Sequence, residues 1–376
     1  MRRQPLGKRP GIQIGFLIQP GRANGKTATT HPMKNQDNAE NNGTGSGSNS
    51  FGADTILVAD IGGTNARLAS VQTATSGGAP KITGFTAFPC ADYNELDAVL
   101  EAYKSSQGGE LPERACLAVA GPIIGRTAHI TNLGWDMDAD QLENAFGFDR
   151  LHIVNDFAAL ARSTPTLGND DLITLREGTL AGDGPVSVMG PGTGFGLALL
   201  VQHSGGCTVV SGEGGHVSFV PHGAQETRVW SALQKSIGRV TVETLLSGVG
   251  LMRIYRELCH MHDTSPLNYD PRTISYQALE HGDKICLETL NIFCSMLGSV
   301  AGDMVLSHGA TGGVFLGGGI LPKIANFFLQ SNFTERFLDK PPMQKFVEKV
   351  PVHLIVAPDA ALRGAALLYQ EHESKA

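Results

Sequence analysis

The chain has 376 residues, a formal net charge of −7 at pH 7 and a hydrophobic content of 41%. These values are ordinary for a soluble globular protein of two to three domains, and they give no basic footprint for nucleic acid. No apolar run approaches the roughly 20 residues that a membrane-spanning helix needs. The six cysteines form no C-x-x-C pair, which argues against a zinc site and for reduced thiols in a cytosolic protein.

Residues 1–53 differ in composition from the rest of the chain. Up to Lys34 the segment carries basic residues and no acidic one, and it ends in the low-complexity stretch N-N-G-T-G-S-G-S-N-S. This composition fits an organellar transit peptide, a disordered tail, or an upstream start codon with Met33 as the real initiator. We expect the segment to stay outside the fold, and the protein to be cytoplasmic unless the segment is a transit peptide.

The stretch 55–70, T-I-L-V-A-D-I-G-G-T-N-A-R-L-A-S, predicts two buried strands joined by a tight turn. The turn consists of Gly62, Gly63, Thr64 and Asn65. Its glycines let backbone N–H groups approach a bound anion, because glycine has no Cβ. Asp60 stands at the end of the first strand, where it could hold a metal ion directly or through water. A plain β-hairpin has the same pattern, so the interpretation depends on partners elsewhere in the chain.

The next elements belong to the same predicted domain. They are a strand at 81–89, a helix at 93–103, strands at 114–120 and 151–154, and a helix from Phe157. The strand at 151–154 delivers Asn155 and Asp156 at its carboxyl end, which is where open α/β sheets place their chemistry. The polar segment 163–171 predicts the crossing into a second domain.

A second strand, glycine turn and strand occupy 185–202, around G-P-G-T-G-F-G. This repetition of the 55–70 pattern predicts two similar domains that face each other. Helices are predicted at 224–236, 241–246, 249–261 and 275–307, followed by a strand into a glycine turn at 312–319, a strand at 352–356 and a helix at 360–369.

Separated motifs give the chain a family resemblance. They are V-A-D-I-G-G-T-N-A-R (58–67), I-V-N-D-F-A-A (153–159), G-P-G-T-G-F-G (190–196), G-E-G-G-H-V (212–217) and L-G-G-G-I (316–320). In this order and spacing they resemble the bacterial-type glucokinases of the hexokinase, actin and chaperone ATPase superfamily. The zinc signature C-x-C-G-x-x-G-C of the related repressor and sugar-kinase group is absent from the sequence, so the resemblance is to the non-zinc branch.

The resemblance implies two ribonuclease-H-like α/β domains that face a ligand cleft. Residues 54–165 and 350–376 would form the small domain and residues 166–349 the large one. The implied activity transfers the γ-phosphoryl group of ATP to the 6-hydroxyl of D-glucose with Mg²⁺, the first step of glycolysis. The implied partner is a small-molecule substrate, without nucleic acid or membrane, and the choice between a monomer and a homodimer stays open.

Asp156 matches the catalytic aspartate of the family. A sugar hydroxyl is a poor nucleophile, so a carboxylate beside it should accept its proton during transfer. The structural alternative for Asp156 is a helix N-cap. The resemblance also implies sugar contacts from Asp156 itself and from Asn132, Asn155, Glu213, His216 and Glu243. Carboxylates suit this task because their oxygens accept hydrogen bonds strongly.

The resemblance places the nucleotide on three glycine turns. The 62–65 turn would contact the transferred phosphate. The other contacts are implied for Gly192, Thr193 and Gly194 at the β and γ groups, and for Gly317, Gly318 and Gly319 beside adenosine. Mg²⁺ would be chelated mainly by phosphate oxygens, with Asp60 near it. No Walker G-x-x-x-x-G-K-[ST] sequence is present.

Three other functions remain open at this stage. A kinase for mannose, fructose or an amino sugar would share most of these contacts. A sugar-sensing regulator would need a DNA-binding element, and the N-terminal segment is too rich in Gly, Asn and Pro to supply one. An actin-like ATPase would hydrolyse ATP without sugar. The sequence also leaves ADP or polyphosphate open as the phosphoryl donor.

Overall fold

The computed structural model describes residues 51–52, 54–72, 80–179 and 184–374. The chain divides into a unit Met1–Ser48 and a unit Asn49–Ala376, and all the described residues belong to the second unit. The hypotheses about residues 1–50, including the transit peptide and the start at Met33, lie outside the described residues.

The first half of the chain alternates strands and helices. In order they are β1 (Thr55–Ile61), β2 (Asn65–Gln72), β3 (Lys81–Pro89), α1 (Leu96–Ser106), β4 (Arg114–Val119), β5 (Ile123–Ile124), β6 (Thr127–Ile130), β7 (Trp135–Asp138), α2 (Ala139–Phe146), β8 (Arg150–Asn155) and α3 (Asp156–Ser163).

The second half adds a larger helical layer. Its elements are β9 (Leu172–Arg176), β10 (Val186–Pro191), β11 (Phe195–His203), β12 (Gly206–Gly212), α4 (Gly223–Ile237), α5 (Val242–Leu245), α6 (Gly248–Met261), α7 (Pro271–His281), α8 (Lys284–His308), β13 (Gly313–Leu316), α9 (Ala325–Phe328), α10 (Phe333–Leu338), α11 (Gln344–Val347), β14 (Val352–Ile355) and α12 (Ala360–Glu373).

Two large sheets share one topology. The first has strand order β3-β2-β1-β4-β8, and the second has order β12-β11-β10-β13-β14-β9. In each, three neighbouring antiparallel strands are followed by two parallel ones, and the second sheet adds β9 as an antiparallel edge strand. The repetition predicted from 55–70 and 185–202 is therefore confirmed, because β1–β2 and β10–β11 are equivalent hairpins.

Both faces of the first sheet are buried. Along β1, Leu57 and Ala59 enter one hydrophobic core, whereas Ile56 and Val58 enter another that includes residues of α12. A strand buried on both faces reads as an unbroken apolar run instead of an alternating pattern. This explains the sequence I-L-V-A that precedes Asp60.

The predicted domain boundary at residue 350 is wrong for one strand. β14 pairs in parallel with β13 and antiparallel with β9, so it belongs to the second sheet. Of the two described elements within residues 350–376, only α12 packs against the first sheet. Main-chain pairing with β13 decides the position of β14, and the local sequence carries no sign of it. The sequence analysis also missed β9, β12 and the small sheet β5-β6-β7.

Helix α8 is more apolar over its length than the sequence analysis expected of any segment. By length and composition it could cross a membrane, with a mean hydropathy of 1.4 over its most apolar window. However, 78% of that window is buried inside the protein, where it packs with α6, α7 and α10. It is the central helix of the hydrophobic core that packs against the second sheet.

Helices α3 and α12 are in close contact, and each follows the last parallel strand of one sheet. A Cβ added to Gly364 of α12 would overlap the carbonyl oxygen of Ala159 in α3. An ion pair between Arg162 and Glu371 joins the two helices at 2.5 Å. Arg363 of α12 also pairs with Asp171, beside the segment that crosses between the sheets, at 2.8 Å. The chain passes from the first sheet to the second after α3 and returns before α12. The contacts between α3, Asp171 and α12 hold these two connecting segments together.

We predict that Gly364→Ala lowers the free energy of unfolding by about 1–3 kcal/mol, because the added methyl group forces apart two packed helices. Alanine in a helix interior would otherwise stabilise it by about 1 kcal/mol, so the sign of the change is diagnostic. Denaturant unfolding measures it. The control is Gly168→Ala, where no neighbouring atom lies within 4 Å of the added Cβ; equal behaviour of the two variants would contradict the packing argument.

Candidate active site

The turns of the two equivalent hairpins meet. The hydroxyl oxygens of Thr64 and Thr193 lie 3.2 Å apart, and a Cβ on Gly63 would come within 2.9 Å of the Thr193 side chain. Each turn is closed by its own backbone bond. Gly62 N–H donates to the Asn65 carbonyl at 3.0 Å in the first, and an equivalent 2.8 Å bond runs from residue 192 to residue 194 in the second.

The tips of these turns carry unused backbone donors. Among the hydrogen bonds of the described residues, none has the N–H of Gly63, Thr64, Thr193 or Gly194 as its donor. Adjacent backbone N–H groups in a turn form a concave anion-binding surface. Two such surfaces, one from each sheet, face each other here, so the arrangement suits a group with several negatively charged oxygens.

The third glycine turn has a mainly structural explanation. Gly318 has a left-handed φ of +88°, and a Cβ there would overlap the Pro191 carbonyl oxygen. Gly317 N–H donates to the Met189 carbonyl at 2.9 Å. These two glycines let the end of β13 lie directly against the end of β10. Gly319 has no neighbour within 4 Å of an added Cβ, so of the three it leaves the most room for a ligand.

The N-cap explanation for Asp156 is wrong, because Asn155 fills that role. The Asn155 carboxamide oxygen accepts from Ala158 N–H at 3.0 Å at the start of α3. The Asp156 carboxylate instead accepts from the adjacent Phe157 N–H, at 2.8 Å. Asp156 is therefore held at the carboxyl end of β8 by a helix that does not need its side chain as a cap.

The electrostatic environment makes Asp156 unusually basic for a carboxylate. Burial, the negative charge of Asp60 and, to a smaller extent, the charge of Glu213 together raise the pKa of Asp156 from 3.8 to about 7. Asp60 comes from the first sheet and Glu213 from the loop after β12 in the second. The charges of two carboxylates, one from each sheet, thus act on Asp156.

Asp60 has a partner that the sequence analysis missed. The Arg67 guanidinium donates to Asp60 Oδ2 at 2.7 Å, and the two residues are directly opposite each other in the β1–β2 register. Burial raises the pKa of Asp60, and Arg67 opposes that effect. Counting outward from the 62–65 turn gives this pairing, so the signal was present in the sequence.

The sugar candidates of the second domain lie beside its glycine turn. His216 Nε2 and Glu213 Oε2 are 3.8 Å apart, and both side chains are exposed. Glu243 Oε2 accepts from Phe195 N–H at 2.8 Å, and it also fills the space that a Cβ on Gly194 would need. Glu243 is therefore not an ordinary surface glutamate. Its carboxylate holds the end of the 192–194 turn in place.

The two asparagine candidates lie on the other side of the cleft. Asn155 Nδ2 donates weakly to the Gly121 carbonyl, at 3.5 Å, so its amide faces the loop that leads into the small sheet. Asn132 is exposed in the turn between β6 and β7. No hydrogen bond among the described residues joins Asn132 to the other candidates, and its assignment stays a prediction.

A metal ion at this site would need ligands from outside the protein. Among the described residues, no cluster of three or more His, Cys, Asp and Glu side chains could hold a metal ion. Arg67 engages Oδ2 of Asp60, so Oδ1 is the carboxylate oxygen that this ion pair does not use. One carboxylate together with phosphate oxygens is a typical Mg²⁺ environment, whereas zinc requires more protein ligands.

Similar known proteins match most of the chain. The family model Glucokinase matches residues 57–372. A curated glucokinase of Saccharophagus degradans is 41% identical over 310 residues, or 82% of this chain and 96% of that protein. The crystal structure of a glucokinase from an Antarctic psychrotroph has a TM-score of 0.72 at 39% identity, covering 84% of this chain and 99% of that chain. A ROK family glucokinase from Streptomyces griseus in complex with glucose and AMPPNP shares the fold, with a TM-score of 0.58, 19% identity, and coverage of 84% and 98%.

We predict that Asp156→Asn stabilises the protein at high pH. A carboxyl whose pKa rises on folding contributes stability that is fully present below its unfolded pKa and is lost as the pH rises through its folded pKa. Above pH 7 the native protein therefore carries the cost of a buried charge, which asparagine removes. The gain should be on the order of 4 kcal/mol at pH 8, from about three pKa units at 1.36 kcal/mol each, and should nearly vanish at pH 4. Denaturant unfolding curves between pH 4 and pH 8 measure this gain, with Glu101→Gln, a change at an exposed carboxylate, as the control. A difference in unfolding free energy between Asp156→Asn and the native protein that did not change with pH would contradict the prediction.

Proposed function

The chain belongs to the glucokinase family, and we propose on this basis that it transfers the γ-phosphoryl group of ATP to the 6-hydroxyl of D-glucose, with Asp156 as the general base. One observation carries the assignment of the base. Asp156 directly follows β8, the charges of Asp60 and Glu213 both act on it, and its pKa is raised to about 7. A general base works best when its pKa is near the operating pH.

The proposed mechanism divides the work between the two sheets. Phosphoryl transfer requires positioning and charge stabilisation more than covalent chemistry. The free N–H groups of the 62–65 and 192–194 turns would hold the transferred phosphoryl group from opposite sides, and the hydroxyls of Thr64 and Thr193 would add two donors. Asp156 would accept the proton of the 6-hydroxyl as the oxygen attacks phosphorus. Because both turns take part, transfer requires the two domains to be closed on each other.

Magnesium fits this proposal as a resident of the nucleotide complex. When bound, Mg²⁺ neutralises charge on the phosphate oxygens. Asp60 would hold the ion through Oδ1, directly or through water, while Arg67 keeps the carboxylate in place through the 2.7 Å bond to Oδ2. The charge of Arg67 also opposes protonation of Asp60.

The sugar would be bound from both sides of the cleft. Glu213 and His216 are exposed and close together, so they could share vicinal hydroxyls. Asn155 uses its carbonyl oxygen as the cap of α3, which leaves its amide hydrogens as the donors. Glu243 would accept from a sugar hydroxyl while retaining its bond to Phe195 N–H. Asn132 would contribute from the small sheet.

We further propose that the protein works in the cytosol, in the first step of glycolysis. No disulfide bond is found among the six cysteines, five of which are buried, as is usual in a reducing compartment. Fractionation of cells that express the full chain would test the location, and recovery in an oxidising compartment or an organelle would contradict it.

The first experiment is glucose 6-phosphate formation by the full chain with Mg-ATP, compared with Asp156→Asn. We expect turnover on glucose and a loss of about 10²–10⁴-fold in kcat for the variant, as for removal of a general base. Mannose, fructose, an amino sugar, ADP and polyphosphate serve as alternative substrates and donors. Turnover on another hexose alone would retain the mechanism and change the substrate, whereas undiminished activity of Asp156→Asn would show that Asp156 is not the base.

We also predict an acid limb in the pH profile of kcat/KM near pH 7, because Asp156 must be deprotonated to act as a base. The Asp60 charge raises the pKa of Asp156, so Asp60→Asn should move the limb to lower pH while reducing the overall rate. Glu101→Gln, which neutralises an exposed carboxylate, is the control and should leave the limb in place. A limb at the same pH in the Asp60 variant would contradict the proposed coupling.

A further inference from the structure

Cys90 lies directly behind the first phosphate turn. It follows β3, begins the short 3₁₀ turn Cys90–Asp92 and is 1% exposed. Its backbone N–H donates to the Thr64 carbonyl at 2.9 Å, and its thiol donates to the Gly62 carbonyl, with Sγ and O 3.4 Å apart. One residue therefore binds two of the carbonyls of a four-residue turn.

The register of β2 and β3 explains why this task falls to Cys90. Pro89 is opposite Asn65, so the next residue along the chain is opposite Thr64. Antiparallel pairs alternate between hydrogen-bonded and non-hydrogen-bonded ones, and the bond from Cys90 N–H to the Thr64 carbonyl makes Asn65–Pro89 a non-hydrogen-bonded pair. Proline, which has no N–H to donate, is therefore tolerated there, and the ladder extends by one further bond onto the turn.

The thiol bond controls a donor on the opposite side of the turn. The carbonyl of Gly62 and the N–H of Gly63 belong to one planar trans peptide unit, so they point in opposite directions. When the carbonyl is held toward Cys90, inside the domain, the N–H of Gly63 must face the cleft. That N–H is one of the unused donors at the tip of the turn. The Cys90 thiol thus sets the direction of the Gly63 N–H, although it is not in contact with that group.

The thiol is suited to remain a donor. Burial raises the pKa of Cys90 to about 11, and the Asp60 charge acts in the same direction. At neutral pH the group is therefore a protonated thiol, and it has little of the thiolate character on which cysteine reactivity depends. A constant hydrogen bond is the role that this environment supports.

We propose that Cys90 is a positioning residue for phosphoryl transfer, whose thiol holds the Gly62 carbonyl so that the Gly63 N–H faces the phosphate. The proposal rests on the proposed function in one respect, namely that the 62–65 turn binds the transferred phosphate. It adds a residue from outside the cleft, 28 positions along the chain from the carbonyl that its thiol holds.

The test uses Cys90→Ala and Cys90→Ser in the full chain. The alanine variant keeps the backbone N–H but lacks the thiol, and we expect its kcat/KM for Mg-ATP to fall roughly tenfold, the effect of one lost hydrogen bond. The KM for glucose should change less than twofold. Serine can donate to the same carbonyl, so Cys90→Ser should recover most of the loss.

The control is Cys116→Ala, which removes a fully buried thiol from β4 of the same sheet, away from the turn. It should lower stability and leave the kinetic constants for Mg-ATP unchanged. Equal kinetic effects of Cys90→Ala and Cys116→Ala, or no recovery by serine, would overturn the proposal.

A binding measurement separates this proposal from the proposed function. Affinity for a non-hydrolysable ATP analogue can be measured by calorimetry with no sugar present, and we expect Cys90→Ala to bind it more weakly than the native protein and than Cys116→Ala. Native affinity in Cys90→Ala would overturn the role of Cys90, whatever the activity. Absence of hexose phosphorylation by the native chain would overturn the proposed function and leave the binding result to decide on Cys90.

Discussion

The site depends on bringing two backbone turns from different sheets to one point. The donors at their tips are N–H groups, which have no rotatable bond of their own, so their directions are set by the strands behind them. The repeated sheet topology meets this requirement, because each sheet presents its first hairpin in an equivalent position. The 3.2 Å separation of the Thr64 and Thr193 hydroxyls shows how closely the two turns approach. The side chains of the cleft are then added to a frame that already exists.

Some side chains secure the frame and take part in the site as well. Asp60 is held by Arg67 and acts on the pKa of Asp156. Glu243 closes the end of the second turn through Phe195 N–H. A change at either carboxylate therefore alters backbone position and charge together. The kinetic effects of such a change cannot be assigned to lost ligand contact alone, and for this reason the pH profile is a more specific readout than the rate.

The sequence predicted those parts of the molecule that are encoded locally. The 62–65 turn, the strand before Asp156 and the repeated hairpin are visible in short stretches, because an apolar run followed by glycines has few structural outcomes. The Asp60–Arg67 pair was also accessible, since hairpin register follows from the position of the turn. In contrast, the sheet membership of β14, the bond between Glu243 and Phe195, and the thiol of Cys90 behind Gly62 depend on residues far apart in sequence. Resemblance to a family could name Glu243, but it could not reveal what that side chain binds within the protein.

The return of α12 to the first sheet has a consequence for how the chain folds during synthesis. One face of that sheet, including Ile56 and Val58, is covered by Leu362, Ala365 and Tyr369, which are synthesised after every strand of the second sheet. This face of the first sheet therefore stays uncovered during synthesis until the second sheet and its helices have been made. Contacts of such long sequence separation form slowly, and exposed apolar surface favours aggregation in the meantime. The second sheet, whose strands are complete by residue 355, can form its core first and hold the first sheet in place until α12 arrives.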